Sequence, residues 1–165
     1  MKILNVLTAS FLLATAPALA QNEYVWSTIS NVTGKAAAAW SDNTNFDVRV
    51  SILSGGAWSD PVILPNSSST FPDPICIEMD SLGNIIVVWG DSYNGLIMSS
   101  IKPVLGDWTN SAVISPLSEY STEPVLTIDP SGNATALWLN YAEGLQSTTL
   151  PVGTTTWPAP TNVSQ

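Results

Sequence analysis

The stretch Gly83-Asn84-Ile85-Ile86-Val87-Val88-Trp89 decides the fold, because it recurs. Gly34-Lys35-Ala36-Ala37-Ala38-Ala39-Trp40 and Gly132-Asn133-Ala134-Thr135-Ala136-Leu137-Trp138 share its layout, a glycine, five residues and a closing tryptophan. The three tryptophans stand 49 residues apart, and a second series, Trp58, Trp108 and Trp157, keeps steps of 50 and 49. Self-similarity at a fixed period in this range is the signature of a repeat architecture.

Working outward from the core run, each repeat resolves into strands. Asp80-Ser81-Leu82-Gly83-Asn84 and Asp129-Pro130-Ser131-Gly132-Asn133 are turn signals. Upstream lie the short apolar runs Ile75–Met79 and Val125–Ile128, each after a proline, and Trp26–Ile29 fills the same place in the first repeat. Run, turn and run read as a β-hairpin. A third strand follows, with Val48–Ile52, Ile97–Ile101 and Gln146–Leu150 in register, so that Val50, Ser99 and Thr148 share a column. Arg49, Met98 and Ser147 then form the neighbouring column, and Asn94-Gly95 reads as a type I′ turn. The fourth element starts at the second tryptophan, over Trp58–Leu64, Trp108–Ile114 and Trp157–Val163, where prolines suit an edge.

The second strand sets the packing. Ile85 to Trp89 is apolar at every position, as in strands buried on both faces. Ala36 to Ala39 favours a helix on propensity, but its alignment with Ile-Ile-Val-Val overrides that. The expected class is therefore all-β: β-propeller blades, as three four-stranded antiparallel repeats of about 49 residues. The blades fall at about 24–70, 71–120 and 121–165. Three blades are fewer than the usual four to eight, so the chain reads as a partial propeller or as half of a six-bladed ring that a homodimer closes. An open three-blade arc is the remaining reading.

Residues 1–20 read as a signal peptide: Met1-Lys2, an apolar run from Ile3, and Ala18-Leu19-Ala20 before the expected cleavage. Residues 21–165 form the expected mature segment, and a secreted, periplasmic or cell-surface destination follows. That apolar run is too short to span a bilayer, so no membrane insertion is expected after cleavage. The whole chain carries −9; without Lys2, three basic residues face 13 acidic ones, giving −10. Such a surface repels phosphate backbones and argues against nucleic acid. Cys76 is the single cysteine, which excludes an intrachain disulfide, and reads as a small core residue. The absence of histidine removes Ser-His-Asp and Cys-His chemistry and the usual His-based zinc sites, while calcium, an oxygen-seeking ion, stays open as a cofactor.

Ser51-Ile52-Leu53-Ser54-Gly55-Gly56-Ala57-Trp58 resembles the Asp-box of sialidase-like propellers of the BNR class, Ser-x-Asp-x-Gly-x-Thr-Trp. Ser51, Gly55 and Trp58 match, and Leu53 stands at the aspartate; in the other repeats only Trp108 and Trp157, with Thr156, keep the pattern. The resemblance implies blades of that type. It also implies a sialidase mechanism with three arginines on the substrate carboxylate, but the chain has the single Arg49, which argues against that activity.

On a propeller the loops after strand two and before strand one share a rim. Asp42, Asp91 and Asn140 each follow the strand-two tryptophan by two residues, and Asp73 and Glu123 each precede a strand-one proline. These five residues either ring an acidic funnel for calcium, sugar hydroxyls or a cationic group, or are repeated turn residues. Asp42–Asp47 superficially suggests a calcium loop, but fails the EF-hand template and reads as a solvated turn. Phe71, Tyr93, Tyr120 and Tyr141 add aromatics suited to sugar or peptide contact. The repeat tryptophans read as blade packing. The expected function is an exported binding or scaffolding module for carbohydrate or protein. The alternatives are a partial or degenerate glycoside-acting enzyme, with Asp91 and Glu123 as its carboxylates, and a structural surface protein without ligand.

Overall fold

The computed structural model describes residues 23–30, 34–42, 44–65 and 72–164. The expected signal segment and Phe71 lie outside them. Among the described residues the fold is all-β, with no helix, and so no helix long and apolar enough to cross a membrane. The first sheet holds β1 (Glu23–Ser30), β2 (Ala36–Asp42), β3 (Val48–Ser54) and β4 (Ala57–Trp58), with β5 (Val62–Ile63) also on β3. The second runs β6 (Pro72–Met79), β7 (Ile85–Asp91), β8 (Leu96–Lys102) and β9 (Ala112–Val113). The third repeats this order with β10 (Ser121–Ile128), β11 (Ala134–Asn140), β12 (Gly144–Leu150) and β13 (Thr161–Asn162). All pairings are antiparallel.

The sheets are stacked through their inner strands, and β7 is the centre of the stack. Every one of its residues is buried. Ile85, Val87 and Trp89 turn one way, onto Ala37, Ala39, Val48 and Val50 of the first sheet. Ile86 and Val88 turn the other way, onto Ala134, Ala136 and Trp138 of the third. Period-2 alternation with apolar residues on both faces thus makes one strand part of two cores. The alanine run is strand, as its alignment predicts; its small side chains let the first sheet come close to the bulky β7.

The first tryptophan series serves packing, as do Trp108 and Trp157 of the second. Trp40, Trp89 and Trp138 are buried. Trp108 packs against the core between the first two sheets, and Trp157 against the next one, where its Nε1 donates to Ser99 Oγ at 3.1 Å. Trp157, in the segment that leads into β13, therefore reaches back onto β8 of the preceding sheet.

Three expectations need correction. The fourth strands are ladders of only two residues; Pro61, Pro158 and Pro160 supply no N–H in the first and third repeats, while β9 is equally short without a proline. Asn94-Gly95 is not a type I′ turn: Ser92 to Gly95 form a four-residue loop between the paired Asp91 and Leu96, and of Asn94 and Gly95 only Gly95 has positive φ, 65°. The two-residue turn of that sort is Gly55-Gly56, with φ of 62° and 83°, joining β3 to β4. Finally, the third repeat is shifted by one. Its loop between Asn140 and Gly144 is one residue shorter, so Trp138 faces Gln146 where Trp40 faces Arg49 and Trp89 faces Met98. A one-residue shift exchanges the faces of a strand. Val50 and Ser99 accordingly share their column with Ser147, not Thr148.

That shift places an amide where it is needed. Trp138 Nε1 donates to Gln146 Oε1 at 3.1 Å, and Gln146 Nε2 donates to Glu143 and Asn162. Trp40, Trp58 and Trp89 have buried Nε1 groups with no such acceptor among the described residues. Gln146→Met, which copies the second repeat, is expected to destabilise the protein by about 1–3 kcal/mol by orphaning buried polar groups. Urea denaturation of the two proteins measures it.

Candidate functional site

The predicted site residues do share one end of the sheets. The register pairs Glu23 with Asp42, Pro72 with Asp91 and Ser121 with Asn140, so the start of each first strand lies beside the end of each second strand. What the structure changes is the work these side chains do.

Asp42, Asp91 and Asn140 are buried, each at the last position of its strand, and each closes the turn after it. Thr44 N–H donates to Asp42 Oδ1 at 2.7 Å. Tyr93 and Asn94 N–H donate to Asp91 Oδ1 at 3.2 and 3.1 Å, and Asn94 Nδ2 to its Oδ2 at 2.7 Å. Ala142 and Glu143 N–H donate to Asn140 Oδ1 at 3.0 and 2.9 Å, while Asn140 Nδ2 donates to Ser121 Oγ. These are Asx turns, in which a short polar side chain replaces the missing ladder partners of the loop. Asp42 also forms an ion pair with Arg49 across the sheet.

Asp73 and Glu123 are exposed and stand in bulges of the first strands, where the register skips Asp73-Pro74 and Glu123-Pro124. β1 carries a bulge at the same place, at Trp26. Glu123 has φ of 54°, a conformation that L-residues adopt rarely. At Gly90 a Cβ would lie 2.6 Å from the Asp73 carbonyl oxygen, so the first bulge closes directly on that glycine. The X-Pro pairs inside strands are the sequence signal for these bulges.

The five residues are therefore brought to one end, where three of them hold their own turns and two stand in bulges. Among the described residues no three acidic, cysteine or histidine groups converge as a metal site. Beside the exposed Asp73 and Glu123, that end presents aromatics to solvent: Tyr93 is 76 % exposed, Tyr141 68 % and Tyr120 40 %. Tyr120 and Tyr141 rings lie 5.2 Å apart at 34°. Tyr120 is held from both sides. Its hydroxyl donates to the Ser92 carbonyl at 2.6 Å, its carbonyl accepts from Tyr141 N–H, and its ring covers Gly95 so closely that a Cβ there would sit 2.3 Å from it. Tyr120 is thus both a surface and the strap between the second and third sheets.

The opposite end carries polar residues that sequence reading recognised only as turns. Asp80 Oδ1 accepts from the N–H groups of Leu82, Gly83 and Asn84, and Asp129 Oδ1 from Ser131 and Asn133. The asparagines continue the motif: Asn84 Nδ2 donates to Asp80 Oδ2 and its Oδ1 accepts from Val104 N–H, while Asn133 does the same with Asp129 and Val152. Asp-x-x-Gly-Asn is thus a complete hairpin clasp, tied to the loop after the third strand.

Charge follows these contacts. Hydrogen bonding from the Thr44 backbone, with Arg49 beside it, holds the Asp42 carboxyl below its ordinary value. The Asn133 side chain does the same for Asp129. Burial pushes the Glu78 carboxyl and the Cys76 thiol up; Cys76 Sγ donates to the Pro124 carbonyl at the junction of the second and third sheets. A depressed carboxyl stabilises the fold above its unfolded value and loses that contribution as pH falls through the folded one. Asp42→Asn is therefore expected to be less stable than the native protein at neutral pH, with the gap shrinking below about pH 4. Denaturant titrations across that range measure it; a gap independent of pH overturns the assignment.

No protein-family model and no curated protein matches the chain. Solved structures do. A protein of unknown function from Dyadobacter fermentans aligns with TM-score 0.57 and 14 % identity, over 84 % of this chain and 50 % of that one. AofleA from Arthrobotrys oligospora aligns with TM-score 0.55 and 14 % identity, over 88 % of this chain and 43 % of that one. A triple arginine-to-alanine mutant of AofleA aligns with TM-score 0.55 and 16 % identity, over the same shares. The chain is similar in fold to proteins about half of whose length, or less, it spans.

Proposed function

We propose that this chain is an exported binding module built of propeller blades, and that its contact surface is the end bearing Tyr93, Tyr120 and Tyr141. The observation that carries the reading is the exposed tyrosine cluster itself. The Tyr120 ring, fixed by its Ser92 and Gly95 contacts and lying beside Tyr141, loses little freedom on binding, and the cluster offers flat apolar faces. Carbohydrate is the ligand class this surface suits first, with a protein surface as the second. The glycoside-acting alternative has less support, since both Asp91 oxygens already accept hydrogen bonds within their own turn. Calcium has no stronger claim on the acids, and an unmoved melting temperature on adding it would dismiss the metal from this reading. AofleA supports the architecture alone; the arginines altered in its variant have no set of counterparts in a chain with the single Arg49.

Propeller blades also account for the free face of the third sheet. Val125 is 53 % and Leu139 38 % exposed, and Leu137 and Leu145 are half-buried. On the second sheet the positions of Leu137 and Leu145 belong to Val88 and Ile97, both fully buried against the next sheet. A homodimer in which two copies close a six-bladed ring would cover this face, as would further blades of a longer propeller.

Two experiments test the reading. Tyr93→Ala and Tyr141→Ala, at exposed positions, are expected to leave the melting temperature unchanged and to weaken glycan-array binding at least about tenfold, a loss of aromatic contact. Array binding that both variants retain would overturn the site. Light scattering of residues 21–165 is expected to give twice the chain mass; a monodisperse monomer would overturn the ring.

A further inference from the structure

A cavity of about 140 Å³ opens between the first and second sheets, at the end opposite the tyrosines. Ile52, Met79, Ile85 and Val104 give it apolar walls, and Lys35 and Lys102 line it. In a segment with three basic residues against 13 acidic ones, this concentration of cations stands out. The third basic residue, Arg49, is on the other end with Asp42.

The cavity exists because the first repeat departs from the pattern of the other two. Lys35 occupies the place of Asn84 and Asn133, the residues that clasp their hairpins and bind the loop after the third strand. In the first repeat that loop is reduced to the turn Gly55-Gly56, and its ledge is withdrawn. Lys35 instead crosses to the second sheet, its Nζ 3.5 Å from where a Cβ on Gly83 would stand. Lys102 takes the place of Leu150 in the third repeat and donates to the Gly106 carbonyl at 2.6 Å, which uses one of its three protons. Between the second and third sheets the corresponding place carries an acid and not a lysine. There a Cβ on Gly132 would meet Val152 at 2.9 Å, with Asp80 Oδ2 at 3.8 Å.

We infer that this cavity binds a small monocarboxylate, its charged head between Lys35 and Lys102 and its short apolar tail against Ile52, Met79 and Ile85. A space of this size holds a molecule of about benzene volume, which limits the ligand to about four to six carbons. With two lysines among its lining residues, the cavity favours a carboxylate over a neutral isostere, because charge-assisted hydrogen bonds are the stronger ones. The cavity lies away from the tyrosine end, so it stands or falls independently of the glycan reading.

Butyrate and its neutral analogue butyramide are the probes, titrated into the mature protein at constant ionic strength and followed by amide NMR shifts. Butyrate is expected to saturate, to move the amides of Lys35, Gly83 and Val104, and to bind at least about tenfold more tightly than butyramide. Lys35→Asn, which restores the residue of the other repeats, and Lys102→Leu, which copies Leu150, are each expected to weaken butyrate about tenfold or more. Both variants carry residues the fold already uses at these places, and an unchanged melting curve checks them. Equal binding of the two probes, shifts confined to other regions, or full affinity in both folded variants would overturn the proposal.

Discussion

Everything in this protein depends on one strand being dry on both sides. Along β7 every residue is buried, and its two faces feed separate cores with the first and third sheets. The neighbours are fitted to it: alanines of β2 on one side, Ala134 and Ala136 of β11 on the other, so bulk faces small side chains in both directions. The hydrogen-bonded ladder satisfies the backbone of β7, which is what allows so apolar a strand to be enclosed. The tryptophans then lock neighbouring sheets, Trp108 over the first junction and Trp157 over the second.

Polar chemistry is divided between the two ends of the stack. At one end Asp42, Asp91 and Asn140 close the loops into the third strands, and tyrosines are left on the surface. At the other Asp80 and Asp129 clasp the hairpins with their asparagine partners. Acids that recur with the repeat hold its turns, whereas residues that break the repeat, Lys35 and Lys102, line a space between two sheets. In a repeat protein the deviations from the pattern carry more functional information than the pattern itself.

The strand plan is legible in the chain because each signal is local: glycine turns, apolar runs and proline breaks act within a few residues. The β7 core, the alanine strand and the inward tryptophans could all be read this way. The third repeat could not, since one residue fewer between Asn140 and Gly144 reverses the faces of the next strand, and loop length is set by a turn whose geometry composition does not specify. The site was half legible. Spacing places the five rim residues at one end, but whether a carboxylate faces a ligand or its own loop depends on φ and ψ of the two or three residues after it. Likewise Tyr93 and Tyr141 stand out in the chain, while the strap made by Tyr120 over Gly95 joins residues of different sheets.

The Asp-x-x-Gly-Asn clasp has a consequence for how the molecule assembles. Its bonds join residues two to four apart, so each hairpin closes a very short loop at small entropic cost. The bond from Trp157 to Ser99 spans 58 positions and pays off only after two hairpins have met. Contact order is thus low inside each sheet and high between sheets. The hairpins are the natural early units of folding, and the junctions between sheets are where the folded state is completed and where it first comes apart.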